Sequence, residues 1–206
     1  IDGGSENDQS GTSVSLSSDG SMVAIGSPAH SGNGTESGLV KIYEWSGAAW
    51  VQVGGDLLGA GVRDRFGTSV GLSADGRRVV AGTMEVGDTG YVRVYDLEAG
   101  AWEQIGEDIT TSGSKSDGLF GVALALSADG SRLSVVAEGD NDSGTENGIV
   151  QTTQLSAAPT QIVTASTAAC AGDTLPSFQG TPAGGSWSAL SGIGTSVSQN
   201  GTVTLG

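Results

Sequence analysis

Four oxygen-bearing side chains are crowded into one short stretch in the second half of the chain. The stretch "GDNDSGTENG" (139–148) contains Asp140, Asn141, Asp142 and Glu146. Carboxylate and amide oxygens are the ligands that calcium prefers in proteins. The stretch is therefore a candidate calcium site, although a solvated acidic loop is the favoured interpretation, and no other cofactor is expected.

Catalytic chemistry finds little support in the residue types. Asp140 and Asp142 could serve glycoside hydrolysis as a carboxylate pair, but nothing in the sequence sets their pKa values apart. The single histidine, His30, lies in a Gly/Ser-rich loop, and no G-x-S-x-G motif surrounds any serine. One His and one Cys are too few for a tetrahedral zinc site built from those residues. We therefore expect no catalytic residues and no enzymatic activity.

The elements that would position such a loop are set by an internal repeat. "GTSVSLSSDGSMVAIGSP" (11–28) returns as "GTSVGLSADGRRVVAGTM" (67–84) and as "GVALALSADGSRLSVVAE" (121–138). Gly11, Gly67 and Gly121 begin the three copies, so each repeat is roughly 55 residues long, close to the blades of known propellers with longer loops. The chain is therefore predicted to contain three repeated structural units.

Each unit is predicted to be a four-stranded antiparallel meander. In the second unit, β-branched and aromatic residues alternate over four segments, which are Thr68–Ser73, Arg78–Gly82, Tyr91–Leu97 and Trp102–Gly106. The first two strands are joined by "SSDG" or "SADG", in which Asp-Gly is expected to supply the positive backbone angles of a tight hairpin. The fold class is therefore all-β.

A four-stranded meander cannot bury both of its faces alone, so the units are expected to stack as blades. Closed propellers contain ~4–8 blades, and three fall short of a ring. The sequence also starts part-way through a repeat, and the third repeat lacks the "W-x-Q-x-G" of the other two. We expect an incomplete ring that belongs to a much larger chain, or, as the alternative, several chains that pool their blades.

The repeats resemble a known family. The patterns G-x-S-V-x-L-S-x-D-G, then G-x-V-x-V-Y or its variants, then W-x-Q-x-G resemble the FG-GAP-like propeller repeats of large secreted and cell-surface proteins. The resemblance covers 1–155, as repeats of about 1–56, 57–110 and 111–155. Integrin-type relatives bind calcium in a D-x-[ND]-x-D-G-x-x-D loop, and the comparable loops here are 30–38, 85–90 and 139–148. The resemblance implies secretion.

The remainder of the chain departs from the repeat. Residues 156–165 are predicted to be a linker or a degenerate fourth strand, and 166–206 a partial immunoglobulin-like module. Its "C-x-G" and "GG-x-W" segments resemble the immunoglobulin-like or PKD-like modules of bacterial surface adhesins. Cys170 is expected to pair elsewhere or to be a buried thiol, and Asn33, Asn141 and Asn200 begin N-x-[ST] triplets that could carry glycans.

Composition excludes two classes of partner. The 206 residues include 8 Lys and Arg against 23 Asp and Glu, giving a net charge of -15. Nucleic acid and anionic lipid surfaces would repel such a chain. No apolar run approaches the ~20 residues of a membrane helix, so no membrane insertion is expected.

Function is predicted from architecture and from this composition. We expect a non-enzymatic extracellular or cell-surface repeat protein that acts as adhesin, spacer or filament building block. The alternative is a propeller that binds a glycan or a protein, with calcium as a helper. Expected partners are further domains of the same chain, other copies of it, or surface glycans. Trp50 and Trp102 recur at one repeat position and are predicted to pack between blades, whereas Trp45 is a candidate for glycan stacking.

Overall fold

A computed structural model describes residues 1, 3–84, 90–110, 119–138 and 148–155, together with the backbone of 195–197 and 203–205. The chain divides into two compact units, Ile1–Pro159 and Thr160–Gly206. Every regular element in the described ranges is a β-strand. The predicted all-β class is therefore confirmed.

The first unit consists of three antiparallel sheets, named blades 1, 2 and 3 in chain order. Blade 1 contains Ser13–Leu16 (β1), Met22–Ser27 (β2), Leu39–Trp45 (β3), Trp50–Gln52 (β4) and the short Leu57–Leu58 (β5), which pairs with β3. Blade 2 contains Ser69–Leu72 (β6), Arg78–Gly82 (β7), Val92–Glu98 (β8) and Ala101–Gln104 (β9). Blade 3 contains Leu119–Leu126 (β10), Arg132–Glu138 (β11) and Ile149–Gln154 (β12).

The three sheets form an open stack of propeller type, as the repeat predicted. Apart from β5, which pairs with β3, the strands of each blade are neighbours in chain order, which is the meander expected from the sequence. A fourth strand of blade 3 would fall in 156–165, which lies outside the described residues. The second unit contributes the hairpin of Thr195–Val197 (β13) and Val203–Leu205 (β14).

The hairpin between the first two strands of each blade is closed by the repeated Ser-x-Asp-Gly turn. Gly20 has φ 71°, and its amide donates to the carbonyl of Ser17 at 3.0 Å. Asp19 was predicted to share the positive backbone angle with the glycine, but it is not among the described residues with positive φ. Its carboxylate instead accepts from the hydroxyl of Ser17 at 2.7 Å and from the amide of Ser21 at 2.9 Å. The aspartate therefore fixes the turn through its side chain.

The hydrophobic core lies between the blades. One buried cluster joins blades 1 and 2 and the other joins blades 2 and 3. Because neighbouring residues of a strand point to opposite faces, Val79 enters the first cluster and Val80 the second. Each blade thus has a leading face, toward the preceding blade, and a trailing face, toward the following one.

Two equivalent glycines allow the backbones of neighbouring blades to approach closely. A methyl carbon placed on Gly26 would overlap the carbonyl oxygen of Gly67, and one on Gly82 would overlap that of Gly121. The same contacts are reinforced by Ser13, whose hydroxyl donates to the Gly67 carbonyl at 2.7 Å, and by Ser69, whose hydroxyl donates to that of Gly121 at 2.5 Å. These glycines therefore set the spacing between blades.

Replacing Gly82 with alanine is expected to destabilise the protein, because the added methyl group must push blade 3 away from blade 2. Such overpacking costs roughly 1–3 kcal/mol. Urea unfolding would measure the change in the free energy of unfolding. Gly55→Ala is the matched control, since a methyl carbon there would meet nothing within 4 Å. Equal effects of the two substitutions would contradict the close-approach argument.

Candidate functional site

The predicted calcium ligands cannot be placed against the rest of the fold. Asp140, Asn141, Asp142 and Glu146 all lie in 139–147, outside the described residues. The described part of the chain contains no group of three or more His, Cys, Asp or Glu side chains that could hold a metal ion. Calcium binding by the 139–148 loop therefore stays a prediction.

The loop 30–38 is attached to the segment that connects blade 1 to blade 2 and does not project freely from blade 1. The amides of Arg63 and Arg65 donate to the carbonyls of Thr35 and Glu36 at 2.8 and 3.0 Å. The Arg65 guanidinium also contacts a carboxylate oxygen of Glu36 through Nε and Nη2, at 2.9 and 2.7 Å. The side-chain amide of Asn33 donates to the carbonyls of residues 59 and 60. A glycan on this asparagine would have to replace one of those bonds.

His30 pairs with a buried carboxylate. Its Nδ1 lies 3.0 Å from Oδ2 of Asp8, which is buried. The equivalent residue of the next repeat, Asp64, is also buried, and it accepts hydrogen bonds from the hydroxyl of Tyr91 at 2.6 Å and from the amide of Gly61 at 2.8 Å. A buried aspartate at the same repeat position therefore anchors the loop that precedes each of the first two blades.

Tyr91 also belongs to a polar cluster at the start of β8. The Arg93 guanidinium lies 4.5 Å from the centre of the Tyr91 ring and forms a bidentate pair with Asp108 at 2.8 and 2.9 Å. Burial, followed by the hydrogen bond to Asp64, raises the pKa of the Tyr91 hydroxyl. The hydrogen bonds from Arg93 lower the pKa of Asp108. Tyr91 thus acts as a neutral hydrogen-bond donor that fixes the loop.

Blade 1 repeats part of this cluster with different residues. Lys41 Nζ lies 3.7 Å from Asp56, and the side-chain amide of Gln52 donates to the same carboxylate at 2.8 Å. Gln104 donates to Asp108 in the same way at 2.9 Å. Sequence reasoning missed these aspartates, although the extended pattern W-x-Q-x-G-x-D in both repeats would have identified them. The pattern stabilises the turn that follows the fourth strand.

A second unpredicted feature is a fully buried ion pair in blade 2. Arg78 and Asp96 face each other across β7 and β8, and neither side chain is exposed. Arg78 Nε and Nη2 donate to the two carboxylate oxygens at 2.6 and 2.7 Å. Its Nη1 donates to the carbonyl of Gly130, in the hairpin turn of blade 3, at 2.8 Å. The pair therefore joins two blades. The sequence indicated it only through an arginine at the repeat position where blade 1 has Met22.

Trp102 packs between blades as predicted. Its Nε1 donates to the carbonyl of Val53 in blade 1 at 3.0 Å, and it belongs to the buried cluster between blades 1 and 2. The same prediction is wrong for its equivalent, Trp50, which lies in neither interblade cluster of the described residues. Trp50 is half-buried and lies against Trp45, with ring centres 5.6 Å apart. Trp45 is 45% exposed, so this aromatic pair is accessible at the surface of blade 1.

A cavity of about 260 Å³ lies between blades 2 and 3. Ile105 and Gly106 line it, at the repeat positions that in blade 1 receive Trp102. A methyl carbon on Gly54 would meet the Trp102 ring at 2.6 Å, whereas one on Gly106 would meet nothing within 4 Å. The cavity therefore lies at the position that the Trp102 indole occupies between blades 1 and 2. The aligned residue of the third repeat is a threonine, at 160, outside the described residues.

The hairpin aspartates predict a pH dependence of stability. The hydrogen bond from the Ser127 hydroxyl, followed by the amide of Ser131, lowers the pKa of Asp129 to about 2. An unfolded aspartate has a pKa of about 3.9, so ionised Asp129 stabilises the folded state. This contribution is complete above about pH 4 and is lost as the pH falls toward 2. We expect Asp129→Asn to lower the thermal midpoint at pH 5 and to match the unsubstituted protein near pH 2.

Ser127→Ala removes the largest cause of the lowered pKa and should give the same pH-dependent difference. Thermal unfolding followed by circular dichroism at pH 2 to 5 measures both variants. A difference that stays constant across this range would show that the Asp129 carboxylate contributes nothing through its ionisation.

In the described residues, no helix is long and apolar enough to cross a membrane. No protein-family model and no curated protein matches the chain. Several solved structures are similar to the chain, and three of them are of β-propeller type. They are the periplasmic gluconolactonase of Pseudomonas aeruginosa (18% identity, TM-score 0.47), TolB from Acinetobacter baumannii (19%, 0.38) and the tricorn protease (11%, 0.36).

These similarities cover 67%, 68% and 68% of this chain, but only 38%, 29% and 13% of the respective structures. They identify no family for this chain. They also correct one prediction, that the chain is not an enzyme, because the first of these structures is a gluconolactonase. The exclusion of enzymatic activity is therefore withdrawn. The first unit of the chain is an open stack of propeller-type blades.

Proposed function

We propose that this chain belongs to an extracellular or cell-surface repeat protein, in which stacked blades act as spacer, adhesin or filament building block. The supporting observation is the free face of blade 1, where Val14 and Leu16 are 63% and 58% exposed. The equivalent residue of blade 2, Leu72, is 7% exposed because blade 1 covers it. Large apolar side chains gathered on one face indicate an interaction surface.

The charge and the resemblance to FG-GAP-like repeats support a location outside the cytoplasm. A net charge of -15 keeps such a surface soluble and disfavours nucleic acid. The immunoglobulin-like module at 166–206 and the calcium site at 140–146 belong to the same proposal. Calcium would stabilise the 139–148 loop, and titration calorimetry with calcium, using Asp142→Asn as the comparison, tests that part separately.

The decisive experiment is made on the protein in its native source. Antibodies against these residues should label intact cells or the medium, and the labelled polypeptide should be much larger than the 20.3 kDa of this chain. Protease treatment of intact cells should remove the signal. A protein that is protected from protease until the cells are lysed would overturn the proposed location.

A second candidate function is glycan or protein binding through the aromatic pair of blade 1. Trp45 and Trp50 are tilted at 58° to each other, and the exposed ring of Trp45 is available for stacking on a sugar. Binding on a glycan array that is lost in Trp45→Ala and kept in Val51→Ala, an exposed neighbour, would favour this function. Unchanged binding in both variants would exclude the aromatic pair as the site.

A further inference from the structure

The two ends of the blade stack differ in chemistry. In the described part of the chain, the leading face of blade 1 and the trailing face of blade 3 have no neighbouring blade. The interfaces between blades 1 and 2 and between blades 2 and 3 show what each face looks like when it is covered. The two free faces can therefore be compared with covered faces, position by position.

The trailing face changes from apolar to polar at blade 3. At its centre, one residue of the second strand lies opposite one of the third strand in every blade. The three pairs are Ala24 and Ile42, Val80 and Val94, and Ser134 and Thr152. The first two pairs are buried, whereas Thr152 is exposed and its hydroxyl lies 3.0 Å from that of Ser134. Blade 3 thus satisfies its own polar groups at the position where the other blades contact a neighbour.

A steric block accompanies this change in polarity. Gly26 and Gly82 approach the backbone of the next blade so closely that neither has room for a Cβ atom. The equivalent residue of blade 3 is Val136, which pairs with Val150 as Gly82 pairs with Val92. A following blade at the spacing seen twice in this chain would collide with the valine. Val150, although apolar, is 68% exposed.

The leading face of blade 1 has the opposite character. Val14 and Leu16 occupy the positions of Val70 and Leu72, which pack into the cluster between blades 1 and 2. Near one end of this face, Ile1 and Leu39 line a common small cavity, and Leu39 is buried there. Val14 and Leu16 are left uncovered. This face therefore retains the side chains of a blade interface without the blade.

From these contrasts we infer that the stack has a direction. The leading face of blade 1 binds the trailing face of another blade of the same repeat type, and blade 3 is the last blade of the stack. The partner must carry glycine at the position of Gly26 and apolar side chains at the positions of Ala24 and Ile42. Both trailing faces that a following blade covers in the described residues have this composition, since blade 2 carries Gly82, Val80 and Val94 there.

A second unchanged copy does not meet this requirement, since its free trailing face carries Ser134, Val136 and Thr152. The inference deepens the proposed assembly function by naming the partner of one face. It can fail independently, because the experiment below measures contacts between purified chains, whereas the proposed function depends on location and on the size of the native polypeptide.

The test converts the trailing face of blade 3 into that of blade 2. A chain carrying Ser134→Val, Val136→Gly and Thr152→Val, together with Leu16→Asp to disable its own leading face, is mixed with the unsubstituted protein. Sedimentation velocity should show a 1:1 dimer in the mixture and monomers in each sample alone. Circular dichroism and thermal unfolding of each variant establish that it is folded.

Two controls make the result specific. A variant with Ser134→Val, Thr152→Val and Leu16→Asp keeps Val136, and it should remain a monomer when mixed with the unsubstituted protein. Replacing the unsubstituted partner by Leu16→Asp should abolish the dimer. A folded converted chain that forms no dimer would overturn the inference. So would head-to-tail assembly of the unsubstituted protein that Leu16→Asp prevents, because blade 3 would then accept a following blade.

Discussion

Replacing Asp96 with alanine should be among the most destabilising single changes in this chain. The substitution leaves the guanidinium of Arg78 without its carboxylate in a position from which solvent is excluded. Breaking a buried ion pair in this way costs about 3–5 kcal/mol, because the remaining charge is kept from water and has lost the carboxylate that neutralised it. Equilibrium unfolding in urea would show this loss as a lower midpoint.

The repeat supplies a matched control for this prediction. Glu44 occupies the equivalent position in blade 1, opposite Met22, and is exposed. Glu44→Ala should therefore change the free energy of unfolding by about 0.5 kcal/mol or less. If the two alanine variants unfolded at the same urea concentration, the buried charge would not be what stabilises this site.

A double substitution separates the charge from the packing. Arg78→Met gives blade 2 the residue of blade 1, and Asp96→Leu removes the carboxylate at the same time. Exchange of a buried ion pair for apolar residues of similar size is often neutral or stabilising. The double variant should thus recover most of the stability lost in Asp96→Ala, with a remainder from the lost bond to the Gly130 carbonyl.

The repeat in the sequence was sufficient to predict the blades, because strand alternation and a recurring turn are local signals. Arg78–Gly82 was predicted as a strand with the bounds that the structure shows. The side-chain function of Asp19 was missed. An Asp-Gly pair is expected both where the aspartate backbone adopts a positive φ and where its carboxylate caps the turn, so the sequence does not distinguish the two. The meander and the open stack were predictable; the way in which each turn is closed was not.

The interblade contacts were only partly predictable, because they depend on which residues of different repeats meet. Trp102 was correctly placed between blades through its recurrence with Trp50. The ion pair of Arg78 with Asp96 was not foreseen, because a charged residue in an apolar strand indicates burial only when its partner on the next strand is known. Similarly, Val136 differs from Gly82 by a change that is ordinary in a strand, and its consequence requires the position of the following blade.

Trp102→Ala should destabilise the protein by about 3–5 kcal/mol, as expected for removal of a large buried aromatic side chain. The indole is 8% exposed, packs in the cluster between blades 1 and 2, and donates to the Val53 carbonyl. Trp102→Phe keeps a ring there but loses the hydrogen bond, so it should lose less stability than the alanine variant. Urea unfolding, followed by circular dichroism, measures each variant.

Trp50→Ala is the decisive comparison, because it removes the same side chain from the same repeat position in a blade whose leading face is free. Trp50 contacts Trp45 at the surface, and its removal should cost about 1 kcal/mol or less. The difference between the two alanine variants then measures what the neighbouring blade contributes to burial of the indole. Equal losses would mean that the tryptophan stabilises its own blade, and the stack would owe its cohesion to the glycine contacts and apolar clusters instead.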